Sequence, residues 1–132
     1  MTLIAVTQRV DVVPSYHERR DALDQQWARF LRACGAVAVP IPNDPEVAAQ
    51  LMSSLPVAGL LLTGGNDLCA LGGSAPERDA TERVLLEGAL SRRVPVVGVC
   101  RGMQFIQAHW GVPLCRVDGH VTPAHEIAVG DT

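Results

Sequence analysis

Apolar residues in this chain come in short continuous runs, separated by segments in which they recur every three or four positions, from the start to about Trp110. Short runs bounded by turn residues predict buried strands, the amphipathic segments predict helices, and their alternation predicts a parallel sheet joined by crossover helices. Residues 3–6, 37–41, 57–62 and 94–99 are the expected strands. Residues 21–34 place Leu23, Trp27, Phe30, Leu31 and Cys34 on one helical face, with Gly35 as the stop. Asn43-Asp44-Pro45 offers a cap and a first-turn proline for a helix burying Val47, Leu51, Met52 and Leu55. Asp79, with Glu82 three residues on, resembles a capping box for a helix carrying Val84, Leu85, Ala89 and Leu90 inward. A last helix over 101–110 turns Met103, Ile106 and Trp110 to the core and stops at Gly111. Beyond it, 113–117 and 126–129 are expected as edge strands, and the stretch between them, with Gly119, His120, Pro123 and His125, as loop. No repeat, low-complexity tract or linker interrupts the pattern, so residues 1–132 read as one α/β domain.

The junction of the fourth strand with the last helix is the chemically pointed place. There Gly98-Val99-Cys100-Arg101-Gly102 ends an apolar run on a cysteine with a glycine two residues away on each side. A strand that feeds directly into a helix leaves its turn residue a cramped backbone, and small neighbours relieve the crowding. A thiol held this way is pushed out of the fold, facing the N–H groups and positive dipole end of the helix, which favour thiolate over thiol. A buried cysteine ending a core strand is the competing interpretation, disfavoured because the G-x-C-x-G pattern joins a strand to a helix.

Ligands of parallel α/β sheets bind outside the carboxyl ends of the strands. The loops expected there are Thr7-Gln8-Arg9, Thr63-Gly64-Gly65-Asn66-Asp67 and the turn at Cys100. A glycine pair beside a nucleophile is able to turn a backbone N–H toward a carbonyl under attack, and the N–H of Arg101 is a second donor. Together they would form an oxyanion hole, in which one donor is worth about 3 kcal/mol to the transition state. Taken without Cys100, the glycine pair is an ordinary tight turn.

Composition narrows the remaining classes. Hydrophobic residues are 48% and charged residues 19%, with a net charge of −3, so neither disorder nor a nucleic-acid footprint is indicated. All 11 basic residues are arginine, which excludes a Schiff-base lysine and a Walker-type phosphate loop. Cys34, Cys69, Cys100 and Cys115 form no C-x-x-C pair and no zinc spacing with histidine, so no metal is expected and a reducing compartment is. The N-terminus carries no basic leader followed by an apolar stretch, and no apolar run nears the ~20 residues a bilayer span needs, so a cytoplasmic protein without membrane contact is expected.

The segments Gly98 to Gln104 and Leu60-Leu61-Leu62-Thr63-Gly64-Gly65-Asn66-Asp67 resemble the class I glutamine amidotransferase-like superfamily. The likeness is closest to its γ-glutamyl-γ-aminobutyrate hydrolase branch, of peptidase C26 type, and runs from about residue 3 to about residue 130. The opening stretch, Val6-Thr7-Gln8-Arg9 and on through Ser15-Tyr16-His17-Glu18-Arg19-Arg20-Asp21, resembles a subgroup found with surface-polysaccharide biosynthesis that includes γ-glutamyl-CDP-amidate hydrolases. The resemblance implies a three-layer α/β/α, flavodoxin-like fold, incomplete at its C-terminal end, and hydrolysis of a γ-glutamyl amide in a small metabolite through a Cys100 thioester. It places Gly65 and Arg101 at the oxyanion positions and Gln104 at the glutamyl head group, and needs no cofactor; Gly64 and Asn66 are expected as further substrate contacts, as is Arg9, whose guanidinium follows the first strand at the ligand edge and suits a phosphate or carboxylate. Arg19 and Arg20 are expected as the solvated start of the first helix.

The family's base is a His-x-Glu pair several tens of residues beyond the elbow, and none follows Cys100 here. His109 falls within the last helix, His120 lies in the expected loop, and adjacent His125 and Glu126 would point to opposite faces of a strand. The sequence, ending at Gly130-Asp131-Thr132 with no closing helix, is therefore expected to be an N-terminal fragment of a longer enzyme rather than a shortened relative. The other expectations are a glutaminase subunit passing ammonia to a synthase partner, a homodimer, and a non-catalytic γ-glutamyl-binding module. With γ-glutamyl p-nitroanilide, this 132-residue chain should turn over at near-background rates. Robust hydrolysis abolished by Cys100→Ala would instead point to His120 as a base.

Overall fold

The computed structural model describes residues 1–121 and 123–130. In chain order it contains β1 (Thr2–Val6), β2 (Arg9–Val13), β3 (Glu18–Ala22), α1 (Gln25–Ala33), β4 (Ala36–Pro40), α2 (Pro45–Ser54), β5 (Val57–Leu62), α3 (Pro76–Arg92), β6 (Val96–Gly98) and α4 (Arg101–His109), with one short 3-10 turn at Cys69–Leu71. The main sheet runs β4-β1-β5-β6 and every neighbouring pair is parallel, so all its carboxyl ends open on one edge. Helices cover both faces, which makes this a parallel α/β fold of the kind the alternating pattern predicts. Among the described residues no helix is long and apolar enough to cross a membrane.

Alternation along β1 and β5 divides the core in two. Ala5, Leu60 and Leu62 pack with Ile41, Ala48, Met52, Leu85, Leu86, Ala89 and Phe105 from the loop after β4 and from α2, α3 and α4. Val6 and Leu61 turn the other way, onto Leu31 of α1 and Ala36, with Ile4, Leu23 and Trp27 at the margin. A leucine as fully enclosed as Leu62 or Leu85 contributes about 2 kcal/mol by leaving water. Asp44 caps α2 as expected, accepting from the N–H groups of Glu46 and Val47 with Pro45 at the first position.

Several expected boundaries move. Residues 9–22 form an antiparallel hairpin, β2–β3, and the first helix starts after it, capped by Asp24 rather than opening at Asp21. Opposite charges face each other across this ribbon at Asp11 and Arg20, and only Val10 of the two strands is buried. Arg19 and Arg20 thus lie on β3: Arg19 pairs with Glu77 and donates to the Ser74 carbonyl, and Arg20 pairs with Glu18 and donates to the Tyr16 hydroxyl. Helix α3 begins at Pro76, so Asp79 and Glu82 do not form a capping box; Asp79 accepts instead from the backbone N–H of Cys69.

Phe30, Cys34, Leu90, Met103 and Trp110 are exposed, while Phe105 is the buried aromatic of α4. The edge strands expected at 113–117 and 126–129 do not form, and Val117, Ile127 and Val129 stand in solvent because no neighbouring strand offers them a ladder. Asp131 and Thr132, where the chain was expected to break off after a strand, lie outside the described residues.

Helix α4 is seated against the sheet at two glycines. A Cβ on Gly102 would lie 2.1 Å from the Leu62 carbonyl oxygen, and one on Gly98 would lie 2.6 Å from the Gly102 carbonyl carbon. Both partners are backbone and have nowhere to move. Gly102→Ala should therefore lower the denaturant midpoint strongly, by about 3 kcal/mol of stability, the upper end of ordinary overpacking. Gly88→Ala, in open space on α3, should raise stability by about 0.5–1 kcal/mol through helix propensity alone.

Candidate active site

The seating of α4 dictates the conformation of Cys100. β6 ends at Gly98, the Val99 N–H donates to the Leu62 carbonyl at 2.9 Å, and α4 starts at Arg101, so Cys100 alone must turn the chain. It does so at φ 55°, ψ −110°, a positive-φ conformation that a side chain tolerates only under compulsion. Such strain costs about 1–3 kcal/mol and leaves the cysteine exposed at the sheet edge rather than ending a core strand. The N–H of Arg101, first in its helix, has no intrahelical acceptor.

The glycine loop lies directly against this thiol. A Cβ on Gly64 would meet Cys100 Cβ at 3.4 Å and its Sγ at 3.8 Å. Gly65 follows at φ +83°, and a Cβ there would press on the Arg9 side chain at 3.1 Å. A cavity of about 240 Å³ opens at this point, lined by Cys100, Gly64 and Gly65 together with Arg9, Asp24 and Trp27. Arg9 reaches it half-exposed, its Nε 2.8 Å from Asp11 Oδ1. The sequence pattern puts Trp27 on the apolar face of the first helix and does not point to Asp24 or Ala22 as cavity wall, because their place there follows from the hairpin.

Behind the cavity the loop is tied down by polar side chains. Thr63 donates from its N–H to Thr7 Oγ1 at 3.0 Å and from its hydroxyl to the Thr7 carbonyl at 2.8 Å, latching the ends of β1 and β5 together. Asn66, at φ 58°, turns its carboxamide onto the hairpin: Oδ1 accepts from the Val10 N–H at 2.8 Å and Nδ2 donates to the Val10 carbonyl at 3.0 Å. It acts as a one-residue strand partner for Val10, and the residues lining the cavity do not include it. Gln104 stands one turn along α4 from Cys100, half-buried, its N–H donating to the Cys100 carbonyl, and it too is not part of the cavity lining.

Beneath the loop lies a cluster of four charged side chains. Arg78 and Glu82 are fully buried and Arg101 nearly so, with Asp79 at the margin. Arg78 Nε donates to Glu82 Oε1 at 3.0 Å, and the other carboxylate oxygen, Oε2, accepts from Arg101 Nη1. Arg101 Nη2 donates to Asp79, and the guanidinium stacks 5.7 Å from the Phe105 ring centre. The two terminal nitrogens of Arg78 hold the loop: Nη2 donates to the Thr63 carbonyl at 2.9 Å, and Nη1 to the carbonyls of Gly64 at 3.0 Å and Gly65. Burial lowers the affinity of Arg78 for its proton; Glu82 opposes that and Arg101 adds to it. This cluster was missed in the sequence. The available signal was periodicity, since Arg78 and Glu82 fall on the same α3 face as Leu85, Leu86 and Ala89.

The histidines lie elsewhere. His109 packs on Trp110 with ring centres 4.8 Å apart, His120 and His125 face each other at 5.8 Å, and His17 sits in the hairpin turn. None of them lines the Cys100 cavity.

A parallel α/β sheet with a strained cysteine between strand and helix, and a glycine loop against its thiol, is the arrangement of the class I glutamine amidotransferase-like proteins. This chain belongs to the peptidase C26 family, whose sequence model matches residues 2–117. It is 29% identical over 127 residues to the γ-glutamyl-CDP-amidate hydrolase of Campylobacter jejuni, an overlap covering 94% of this chain and 62% of that protein. A Mycobacterium tuberculosis protein provisionally named a glutamine amidotransferase is 42% identical over 102 residues, 67% of this chain and 32% of its own length. A Rickettsia prowazekii protein provisionally named as glutamine amidotransferase-like is 28% identical over 109 residues, 72% of this chain and 37% of its own. The chain thus spans less than two thirds of each of these relatives.

The structural part of Asn66 is open to test. Asn66→Ala removes both hydrogen bonds to Val10 and puts a β-carbon with no polar group at positive φ, so a loss of about 2 kcal/mol in a urea titration is expected.

Proposed function

We propose that this chain is the nucleophile-bearing part of a γ-glutamyl amide hydrolase that works through a Cys100 thioester. The observation that carries the reading is the forced positive-φ turn at Cys100, which brings an exposed thiol against Gly64 in a shared cavity. The thiolate sulfur would attack the γ-carbonyl carbon, forming a C–S bond while the carbonyl electrons move to oxygen. The N–H groups of Gly65 and Arg101 would receive that negative charge. Collapse re-forms the carbonyl, breaks the C–N bond and releases the amine, which takes up a proton. Water then adds to the thioester, the C–S bond breaks, and glutamate leaves with the thiol restored. No histidine is among the described residues lining the cavity, and we assign the base that moves these protons to none of those described here.

The name of the Campylobacter jejuni relative supports a phosphorylated amine as the leaving group, and the guanidinium of Arg9 on the cavity wall is suited to an anionic substituent. The provisional glutamine amidotransferase names of other relatives favour a second reading, a glutaminase feeding ammonia to a synthase. Ammonia release from glutamine that rises when a synthase is added would select it.

Site-resolved alkylation tests the shared first step. A glutamine-like chloroketone, L-2-amino-4-oxo-5-chloropentanoic acid, should label Cys100 at least about tenfold faster than Cys34, Cys69 or Cys115, all also exposed, whereas iodoacetamide, which senses the thiolate but not the oxyanion donors, should show a smaller preference. Equal labelling of all four thiols by the chloroketone would remove the reading.

A further inference from the structure

The glycine loop beside Cys100 is intrinsically the most permissive backbone in the site. Glycine visits positive and negative φ about equally, so an unrestrained Gly64-Gly65 segment would sample peptide orientations that aim a carbonyl, rather than an N–H, into the cavity. A trans peptide carries its C=O and N–H on opposite sides, so holding the carbonyl fixes the N–H. Arg78 holds three successive carbonyls, those of Thr63, Gly64 and Gly65, from the side of α3. The Gly64 carbonyl belongs to the same peptide as the Gly65 N–H, which is thereby turned away from Arg78. The cavity wall includes Gly64, Gly65 and Cys100 but not Arg78.

Glu82 connects this clamp to the other half of the site. Its Oε1 fixes the Arg78 guanidinium and its Oε2 accepts from the side chain of Arg101, the residue whose backbone N–H opens α4 next to Cys100. Asp79 holds the second arm of Arg101. The two buried guanidinium groups repel each other, and Glu82, the carboxylate that pairs with both, with Asp79 on Arg101, offsets that repulsion.

We propose that Glu82 is a positioning residue, coupling through Arg78 and Arg101 the two backbone donors that face a carbonyl attacked by Cys100. The proposal rests on the thioester reading above. Glu82 and Arg78 touch no substrate; they set the peptide orientation in the glycine loop and the seat of the first residue of α4 before any ligand arrives.

The test separates oxyanion formation from thiol reactivity on the full 132-residue chain. Addition of the Cys100 thiolate to the chloroketone carbonyl gives a thiohemiketal oxyanion that needs the two donors, and the sulfur then bonds to the chloromethyl carbon as chloride leaves and the carbonyl re-forms; iodoacetamide reacts by direct displacement of iodide and creates no oxyanion. Glu82→Gln, which loses the charge between the arginines, is expected to slow the maximal rate of Cys100 labelling by the chloroketone about tenfold, with the half-saturating concentration unchanged. Iodoacetamide labelling of Cys100 should stay within about twofold of the starting protein. Arg78→Lys keeps the buried positive charge but replaces the fork by a single compact ammonium, and should give the same split.

Slowing of both reagents together, or no slowing in a folded variant, overturns the proposal. A starting protein with no chloroketone preference at Cys100 would overturn the thioester reading and this proposal with it. A normal preference that survives both substitutions would sink the positioning role alone. Should Glu82→Gln lose its helical circular dichroism, Arg78→Lys and the more exposed Asp79→Asn carry the measurement; loss of the fold in all three would make the cluster a stability device and overturn the proposal.

Discussion

The first turn of α4 lies so close to the end of β5 that no side chain fits between Gly102 and the Leu62 carbonyl. Everything distinctive about the site descends from that contact. With the helix start fixed on the sheet and β6 already hydrogen-bonded to β5, a single residue is left to reverse the chain, and it must adopt positive φ to do so. A strain of about 1–3 kcal/mol at Cys100 is small beside the apolar burial of Leu60, Leu62 and Phe105 around it, so the fold holds the bend without difficulty. The same contact keeps the thiol at the carboxyl edge of the sheet, where the loop after β5 also emerges.

That loop is made rigid by charge instead of by packing. The five N–H groups of Arg78 are shared among six acceptors: a Glu82 carboxylate oxygen, three successive carbonyls, and the side-chain oxygens of Thr63 and Asn66. The cost of taking buried charges out of water offsets much of what their hydrogen bonds return, so the cluster is weak evidence of stability while its effect on geometry is large. A buried apolar residue at position 78 would fill the same volume and leave three carbonyls without donors. The ionic cluster is thus better understood as specifying one conformation of a permissive glycine segment than as a source of stability.

The hairpin of β2 and β3 completes the cavity from the other side. It is anchored by Asn66 on Val10, by Arg19 on Glu77, and by Asp21, which accepts from the N–H and side-chain amide of Asn43. A ribbon with one buried residue has almost no hydrophobic alternation to display, which is why residues 9–22 carried no visible strand signal and the helix period was extended back to Asp21. The opposite error occurred at 113–117 and 126–129. Valine and isoleucine there express a strand propensity, and propensity without a partner strand makes no ladder.

Local pattern alone determined the four parallel strands, the main helices, the cap at Asp44 and the G-x-C-x-G turn, because each depends on residues within a few positions of one another. The elbow was legible since steric crowding at a strand-to-helix junction leaves a mark in its own neighbours. What surrounds the thiol was decided by the tertiary structure: the hairpin wall, the turning of Asn66 onto Val10, and the union of Arg78, Asp79, Glu82 and Arg101. Charges on a helix normally seek water, and a single helix does not reveal that its polar positions will meet bare loop carbonyls. Only when α3 and α4 close over the end of β5 do those carbonyls need donors, and two arginines that look superficial in the sequence become the interior of the site.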